Sequence, residues 1–223
     1  MSILKLGVLI SGRGSNLQAL IQACNTPGFP AEIAVVISNR PNAPGLNFAA
    51  EAGLPVVTID HKDFETRPAF EDELHASLQA HGVQLVCLAG FMRLLGNDFV
   101  NRWRDRMINI HPSLLPAYKG LHTHERALED GVRITGCTVH FVRPEMDDGP
   151  IIMQAAVPVL PQDTPPLLAA RVLEAEHRIY PAAVRMVAEG KIRVSAGRVQ
   201  LAAPVTAPQS LICPAPEETT TTA

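Results

Sequence analysis

Short, nearly unbroken apolar runs alternate along this chain with stretches whose apolar residues recur every three or four positions. Residues 5–10 (KLGVLI), 32–38 (EIAVVIS), 55–59 (PVVTI), 83–90 (VQLVCLAG) and 107–110 (MINI) read as strands, because their apolar residues leave no helical gap. Between them, residues 16–24 (NLQALIQAC) place Leu17, Leu20 and Ile21 on one helical stripe. Residues 44–53 (PGLNFAAEAG) read as a short helix stopped by Gly53. The clearest helix is 67–82 (RPAFEDELHASLQAHG), with Pro68 at its start, Phe70, Leu74 and Leu78 on one face, and Gly82 as its stop. Strands that are apolar on both faces and alternate with helices predict a parallel sheet covered on two sides. The expected class is therefore α/β, an open, mostly parallel twisted sheet with helices on both faces and a Rossmann-like N-terminal half.

After Gly120 the pattern changes. Residues 124–131 (HERALEDG) predict a short helix, and 134–142 (ITGCTVHFV) and 151–159 (IIMQAAVPV) predict two strands joined by RPEMDDGP, an antiparallel or mixed excursion. Residues 165–190 predict a long helix, or a helix pair bent at Pro181, ended by Gly190. KIRV and GRVQL suggest a terminal hairpin. One domain is expected over residues 1–201, with halves of about 1–108 and 109–201. The Pro/Thr-rich segment 202–223 has little to bury and is expected to be disordered.

Composition narrows the class. Of 223 residues, 47% are hydrophobic, enough for a sizeable core. Net charge is −3 with only 19 Lys and Arg, which argues against a nucleic-acid partner. No apolar run has membrane-spanning length, and the first residues lack the basic and apolar regions of a signal peptide. A cytoplasmic location is expected. Cys24, Cys87, Cys137 and Cys213 are scattered, which suggests reduced thiols and no zinc knuckle.

Three segments could carry chemistry. ISGRGSNLQAL follows the first strand and opens the first helix, with Gly12 and Gly14 freeing the turn and Ser15 and Asn16 as capping types. A helix N-terminus beyond a strand is a phosphate site, although an ordinary strand–helix turn needs glycine too. The loop has neither the third glycine of a dinucleotide fingerprint nor the Gly-Lys-Ser/Thr of a P-loop. In NIHPSLLPAYKG, Asn109 and His111 alternate at a strand end and so point the same way, while Pro112 stiffens the exit. EMDDG adds Asp147 or Asp148, a carboxylate able to raise an imidazole pKa and fix its tautomer, unless DDG is merely a solvated turn. Asn, His and Asp together suit acyl transfer: an amide N–H for an oxyanion, an imidazole for protons, a carboxylate to tune it. His122 and His124 in LHTH invite a metal site, but no further ligand spacing supports one and none is expected. Ser113 lacks the context of a nucleophile elbow.

Taken together, LISGRGSNLQAL, LAGFMRLL, NIHPSLLP, GLHTH, TVHFV and MDDGPII, in that order, resemble the phosphoribosylglycinamide formyltransferases over roughly residues 3–195. The resemblance implies the formyltransferase fold and transfer of a formyl group from 10-formyltetrahydrofolate, as co-substrate, to the glycyl amine of 5-phosphoribosylglycinamide in purine biosynthesis. It implies catalysis by Asn109, His111 and Asp147, phosphate binding by Gly14, Ser15 and Asn16, and a grip on the glycinamide end by Glu176. Folate would meet Arg67, Met92, Arg93, Leu94, Leu95, Asn109 and the segment Arg143, Pro144, Glu145, Met146 and Asp147. No metal is implied, and a monomer or homodimer is expected. Where the family commonly has Asp-Gly-Gly, this chain has Asp147-Asp148-Gly149.

Two relatives on the same scaffold compete. A formyltetrahydrofolate hydrolase usually carries an N-terminal regulatory domain, for which the first strand at about residue 4 leaves no room. A methionyl-tRNA formyltransferase needs a C-terminal RNA-binding domain, which the acidic balance and short tail disfavour. A non-catalytic folate- or nucleotide-binding module would keep the glycine loop without needing Asn109, His111 and Asp147 together.

Overall fold

The computed structural model describes residues 3–203 and 211–214. Most of the expected tail, 204–210 and 215–223, lies outside the described residues. Seven strands form one sheet in the order β3-β2-β1-β4-β5-β6-β7. They are β1 (Leu4–Ile10), β2 (Ala31–Ser38), β3 (Val56–Thr58), β4 (Leu85–Leu88), β5 (Met107–His111), β6 (Ile134–Phe141) and β7 (Ile151–Pro158). The first five are parallel, whereas β6 is antiparallel to both β5 and β7. A small antiparallel hairpin, β8 (Ile192–Ser195) and β9 (Arg198–Leu201), forms a separate sheet and packs against the first core through Ile192, Val194 and Val199.

The helices are α1 (Ser15–Cys24), α2 (Gly45–Glu51), α3 (Arg67–Ala80), α4 (Asn97–Arg102), α5 (Thr123–Glu129) and α6 (Pro165–Ala188). They cover both faces, as the doubly apolar strands require. On one face Leu6, Val8, Cys87, Ile108 and Val139 pack with Leu17, Leu20, Val172 and Tyr180 from α1 and α6. On the other, Leu9, Ile37, Val86 and Met107 pack with Phe70, Leu74 and Leu78 of α3 and with Phe99, Val100 and Trp103 at α4. Alternation along β5 then sends Ile108 and Ile110 into the first core and leaves Met107, Asn109 and His111 on the second face.

Helix α6 is continuous through Pro181, so of the two expected alternatives the single long helix is the one that forms. Pro181 lacks only the N–H that would have bonded back one turn, and burial of Val172, Ile179, Tyr180 and Val184 on the same stripe holds the rod. Helix α4 and a 3-10 turn at His61–Asp63 have no counterpart in the sequence pattern, being too short to show a period.

The sheet has a topological switch between β1 and β4: the chain leaves β1 toward β2 and β3, then returns to β4 on β1's other side. In open α/β sheets the crevice beyond the carboxyl ends of the strands at such a point is where ligands bind. The glycine turn after β1, the loop after β4 and the end of β5 all lie on that rim.

Candidate active site

The turn after β1 ends in Gly14, whose φ of 76° is left-handed and whose missing Cβ would stand 2.7 Å from Gly45 Cα. Gly45 N–H bonds Gly12 O at 3.0 Å, so the turn is seated against the start of α2. Gly14, not Ser15 or Asn16, is the N-cap of α1, and no side chain satisfies the free N–H groups there. The first turn also has no acidic residue, leaving the positive end of the helix uncompensated. Arg13 is exposed.

Asn16 is buried, and its amide Nδ2 donates to Glu176 Oε2 at 2.7 Å, joining α1 to α6. Asn16 Oδ1 is buried without a partner. Glu176 is 6% exposed, and burial pushes its pKa up, opposed in part by the hydrogen bond from Asn16. Glu176 does not lie on a solvated helix face, because α6 packs on α1 along that stripe.

At the end of β5, register with β6 sets Asn109 opposite His140 and His111 opposite Thr138. His140 Nδ1 donates to Phe141 O at 3.1 Å, which leaves Nε2 as the acceptor for Asn109 Nδ2 at 3.3 Å. Burial holds His140 below the ordinary imidazole pKa, favouring this neutral form. One of the two Asn109 amide protons is thereby committed, and the other has no protein partner among the described residues. His140 is a residue the sequence reading passed over; its only signal was alternation in TVHFV, which puts it on the same face as Thr138.

His111 is 6% exposed. Its Nε2 donates to Tyr118 O at 2.9 Å, and Nδ1 faces Asp147 Oδ2 at 3.5 Å, longer than a normal hydrogen bond. Asp147 Oδ2 also accepts Gly120 N–H at 2.8 Å, and Oδ1 lies 3.9 Å from His140 Nε2. Asn109, His111, His140 and Asp147 thus converge, carried by two strands and the loop between β6 and β7. Asp147 reaches this place with a left-handed φ of 52°. Behind it, a Cβ on Gly149 would lie 1.6 Å from Phe141 O, so only glycine lets the loop fold back onto β6. Asp148, in the position of a family glycine, needs no positive φ and points outward to pair with Lys119.

The loop between β5 and α5 is held from below. Thr138 Oγ1 donates to Ser113 O at 2.7 Å and accepts Leu115 N–H at 3.0 Å, while Gln154 Nε2 donates to Leu115 O at 2.9 Å. Ser113 is fully buried and its Oγ donates to Ala117 O at 2.6 Å, which makes it a loop tie rather than a nucleophile. His122 is exposed and His124 half-buried, and no cluster of three metal-ligating side chains occurs among the described residues.

The segments expected to meet folate surround this rim. Leu88 pairs with Asn109, so the loop leaving β4 runs beside the Asn109–His111 strand end. In that loop Met92 and Leu94 are exposed at 58% and 69%, Arg93 is exposed and Leu95 half-buried; the stretch is irregular, not the start of a helix. Arg67 is exposed at the start of α3, close to Gly96, and lies 3.6 Å from buried Glu71. Arg143 pairs with Asp105, Pro144 is half-buried, and Glu145 and Met146 are exposed. Two apolar side chains bare to solvent beside a buried imidazole flanked by a half-buried amide and a half-buried carboxylate fit a flat ring with a polar reacting edge.

A family model described as formyl transferase matches residues 4–184. Phosphoribosylglycinamide formyltransferase of Escherichia coli (strain K12) is 46% identical over 187 residues, 84% of this chain and 88% of that protein. The trifunctional purine biosynthetic protein adenosine-3 of Gallus gallus is 50% identical over 196 residues. That match covers 87% of this chain, which spans only 20% of the relative's length. Among solved structures, glycinamide ribonucleotide transformylase 1 from Symbiobacterium toebii superposes with a TM-score of 0.87 at 49% identity, covering 89% of this chain and 94% of that one.

Proposed function

Because the chain belongs to the formyl transferase family, we propose that it moves the formyl group of 10-formyltetrahydrofolate onto the glycyl amine of 5-phosphoribosylglycinamide. The observation that carries this reading is the convergence of Asn109, His111 and Asp147 at the sheet's switch-point rim, with the bare N-terminus of α1 on the same rim. The phosphate docks on the N–H groups of Gly14, Ser15 and Asn16, where no side chain competes. Glu176, held by Asn16, takes the glycinamide end. The ring of the folate lies against Met92, Leu94, Leu95 and the backbone of Arg143 to Asp147, with Asn109 at its reacting edge and Arg67 and Arg93 toward its acidic end.

The neutral amine then attacks the formyl carbon, and the former carbonyl oxygen gains negative charge. The free Asn109 N–H meets that charge, since its partner proton is fixed on His140. His111 Nε2 is committed to Tyr118, so Nδ1, at a loose 3.5 Å from Asp147, is the nitrogen able to redirect a proton. The attacking nitrogen gives up one proton and the folate nitrogen gains one as it leaves, so no net proton is needed and no covalent intermediate with the protein forms. Asp147, fixed by Gly120 N–H, orients the imidazole between these transfers.

In this reading residues 1–108 supply the phosphate turn and residues 109–201 the catalytic group, and one chain supplies every named residue whether it acts as a monomer or homodimer. The four free cysteines agree with a cytoplasmic location; no described helix is long and apolar enough to cross a membrane. The test is turnover of 10-formyltetrahydrofolate with and without 5-phosphoribosylglycinamide. Folate product that forms only with the ribonucleotide supports transfer; product that ignores it identifies a hydrolase.

A further inference from the structure

The loop from Phe91 to Gly96 has no regular secondary structure, yet it carries the exposed Met92 and Leu94. Holding such a loop in one shape costs backbone entropy, so its tethers matter. Two buried side chains from distant parts of the chain hold its ends. Ser11 Oγ accepts Met92 N–H at 2.8 Å, and Glu71 Oε1 accepts Gly96 N–H at 2.6 Å.

Ser11 is 2% exposed and sits between β1 and the glycine turn. Its hydroxyl has a fixed direction, because it donates to Asn39 Oδ1 at 2.5 Å while accepting from Met92. Asn39 in turn is anchored by His61, whose Nδ1 lies 3.2 Å from Asn39 Nδ2. The bond from Ser11 to Met92 therefore spans the β1–β4 switch point and ties the loop after β4 to the strand that ends in the phosphate turn. The turn itself has a separate tether, Gly45 N–H to Gly12 O. Loss of the Ser11 hydroxyl frees the loop without freeing the turn.

We propose that Ser11 is a positioning residue for formyl transfer, holding the Met92–Leu95 loop in the shape that receives the folate. This inference rests on the function proposed above. Ser11→Ala is expected to raise KM for 10-formyltetrahydrofolate about ten-fold, the effect of one lost buried hydrogen bond, with KM for the ribonucleotide within about two-fold and kcat within about three-fold. Ser11→Cys, close in volume but a poor acceptor, should shift the folate KM the same way by a smaller factor and serves if the alanine variant does not fold. Equal rises in both KM values, a loss confined to kcat, or unchanged kinetics in a folded variant would each overturn the assignment. Wild-type protein in the same assay separates the layers: no ribonucleotide-dependent turnover removes the functional reading and this inference with it, whereas an active wild type with an indifferent Ser11→Cys removes only this inference.

Discussion

Asn109 has one amide proton on His140 and one free, and that division gives its substitution a defined cost. Asn109→Ala and His111→Ala are each expected to lower kcat by about 10²–10³ while the protein stays folded, the usual cost of one oxyanion donor for the first and within the usual range for a lost proton-transfer group for the second; near-normal turnover in either purified variant refutes the assigned role. Gly149→Ala tests the carboxylate from behind. The added methyl cannot share space with Phe141 O, 1.6 Å away, so the loop must shift and carry Asp147 off His111. Its kcat should fall at least as far as that of Asp147→Asn, and a Gly149→Ala enzyme of full activity would show that the loop's fold does not place the carboxylate. At this scale the sequence was informative about residue types but not about partners. Alternation put Asn109 and His111 on one side, whereas nothing in HFVRPEMDDG announced that His140 would accept from Asn109. That contact depends on the β5–β6 register, which pairs residues 31 apart.

Helix α6 shows what an element adds. Its buried stripe carries Glu176 to Asn16 and, one turn on, Tyr180, whose hydroxyl donates to Leu88 O at 2.9 Å and approaches Ile108 O at 3.4 Å. One buried phenol thus links the last residue of β4 to Ile108 of β5, in the two strands that deliver the folate loop and Asn109. Tyr180→Phe should cost about 1–2 kcal/mol in denaturant unfolding, because a buried hydrogen bond between α6 and the sheet is lost. In a chain of this size that corresponds to a melting point lower by about 2–8 °C. Unchanged stability would mean the carbonyls find other partners. The helix period was legible in the sequence, as was its end at Gly190. The choice between one rod and a bent pair was not, because a proline costs one hydrogen bond that packing along the whole stripe can outweigh.

For the whole molecule, buried and half-buried titratable groups set the response to pH. Burial lowers the pKa of His124, His140 and His177 below 6.5. Between those lowered values and 6.5 the unfolded chain binds more protons than the folded one, so stability is complete above 6.5 and falls as pH drops through this window. Glu176 works the other way: its folded pKa lies above 4.5, so folding takes up a proton there, and stability falls as pH rises from 4.5 through the folded value. Glu176→Gln keeps an acceptor for Asn16 and removes the charge. Its melting point relative to wild type should therefore be higher at pH 7 than at pH 4, and its KM for the ribonucleotide should rise. A melting-point difference that is flat across pH would show that Glu176 is not held away from water.

The sequence alone determined the alternation of strands and helices, the two-sided cover of the parallel strands and the residue types of the site, since those follow from local period, turn chemistry and capping. Only the tertiary structure decided which segments close on one another: Asp147 onto His111, Asn16 onto Glu176, Ser11 onto Met92. Those contacts join positions 36, 160 and 81 residues apart along the chain. Their geometry is set by strand order and register, quantities that exist only once the sheet has formed.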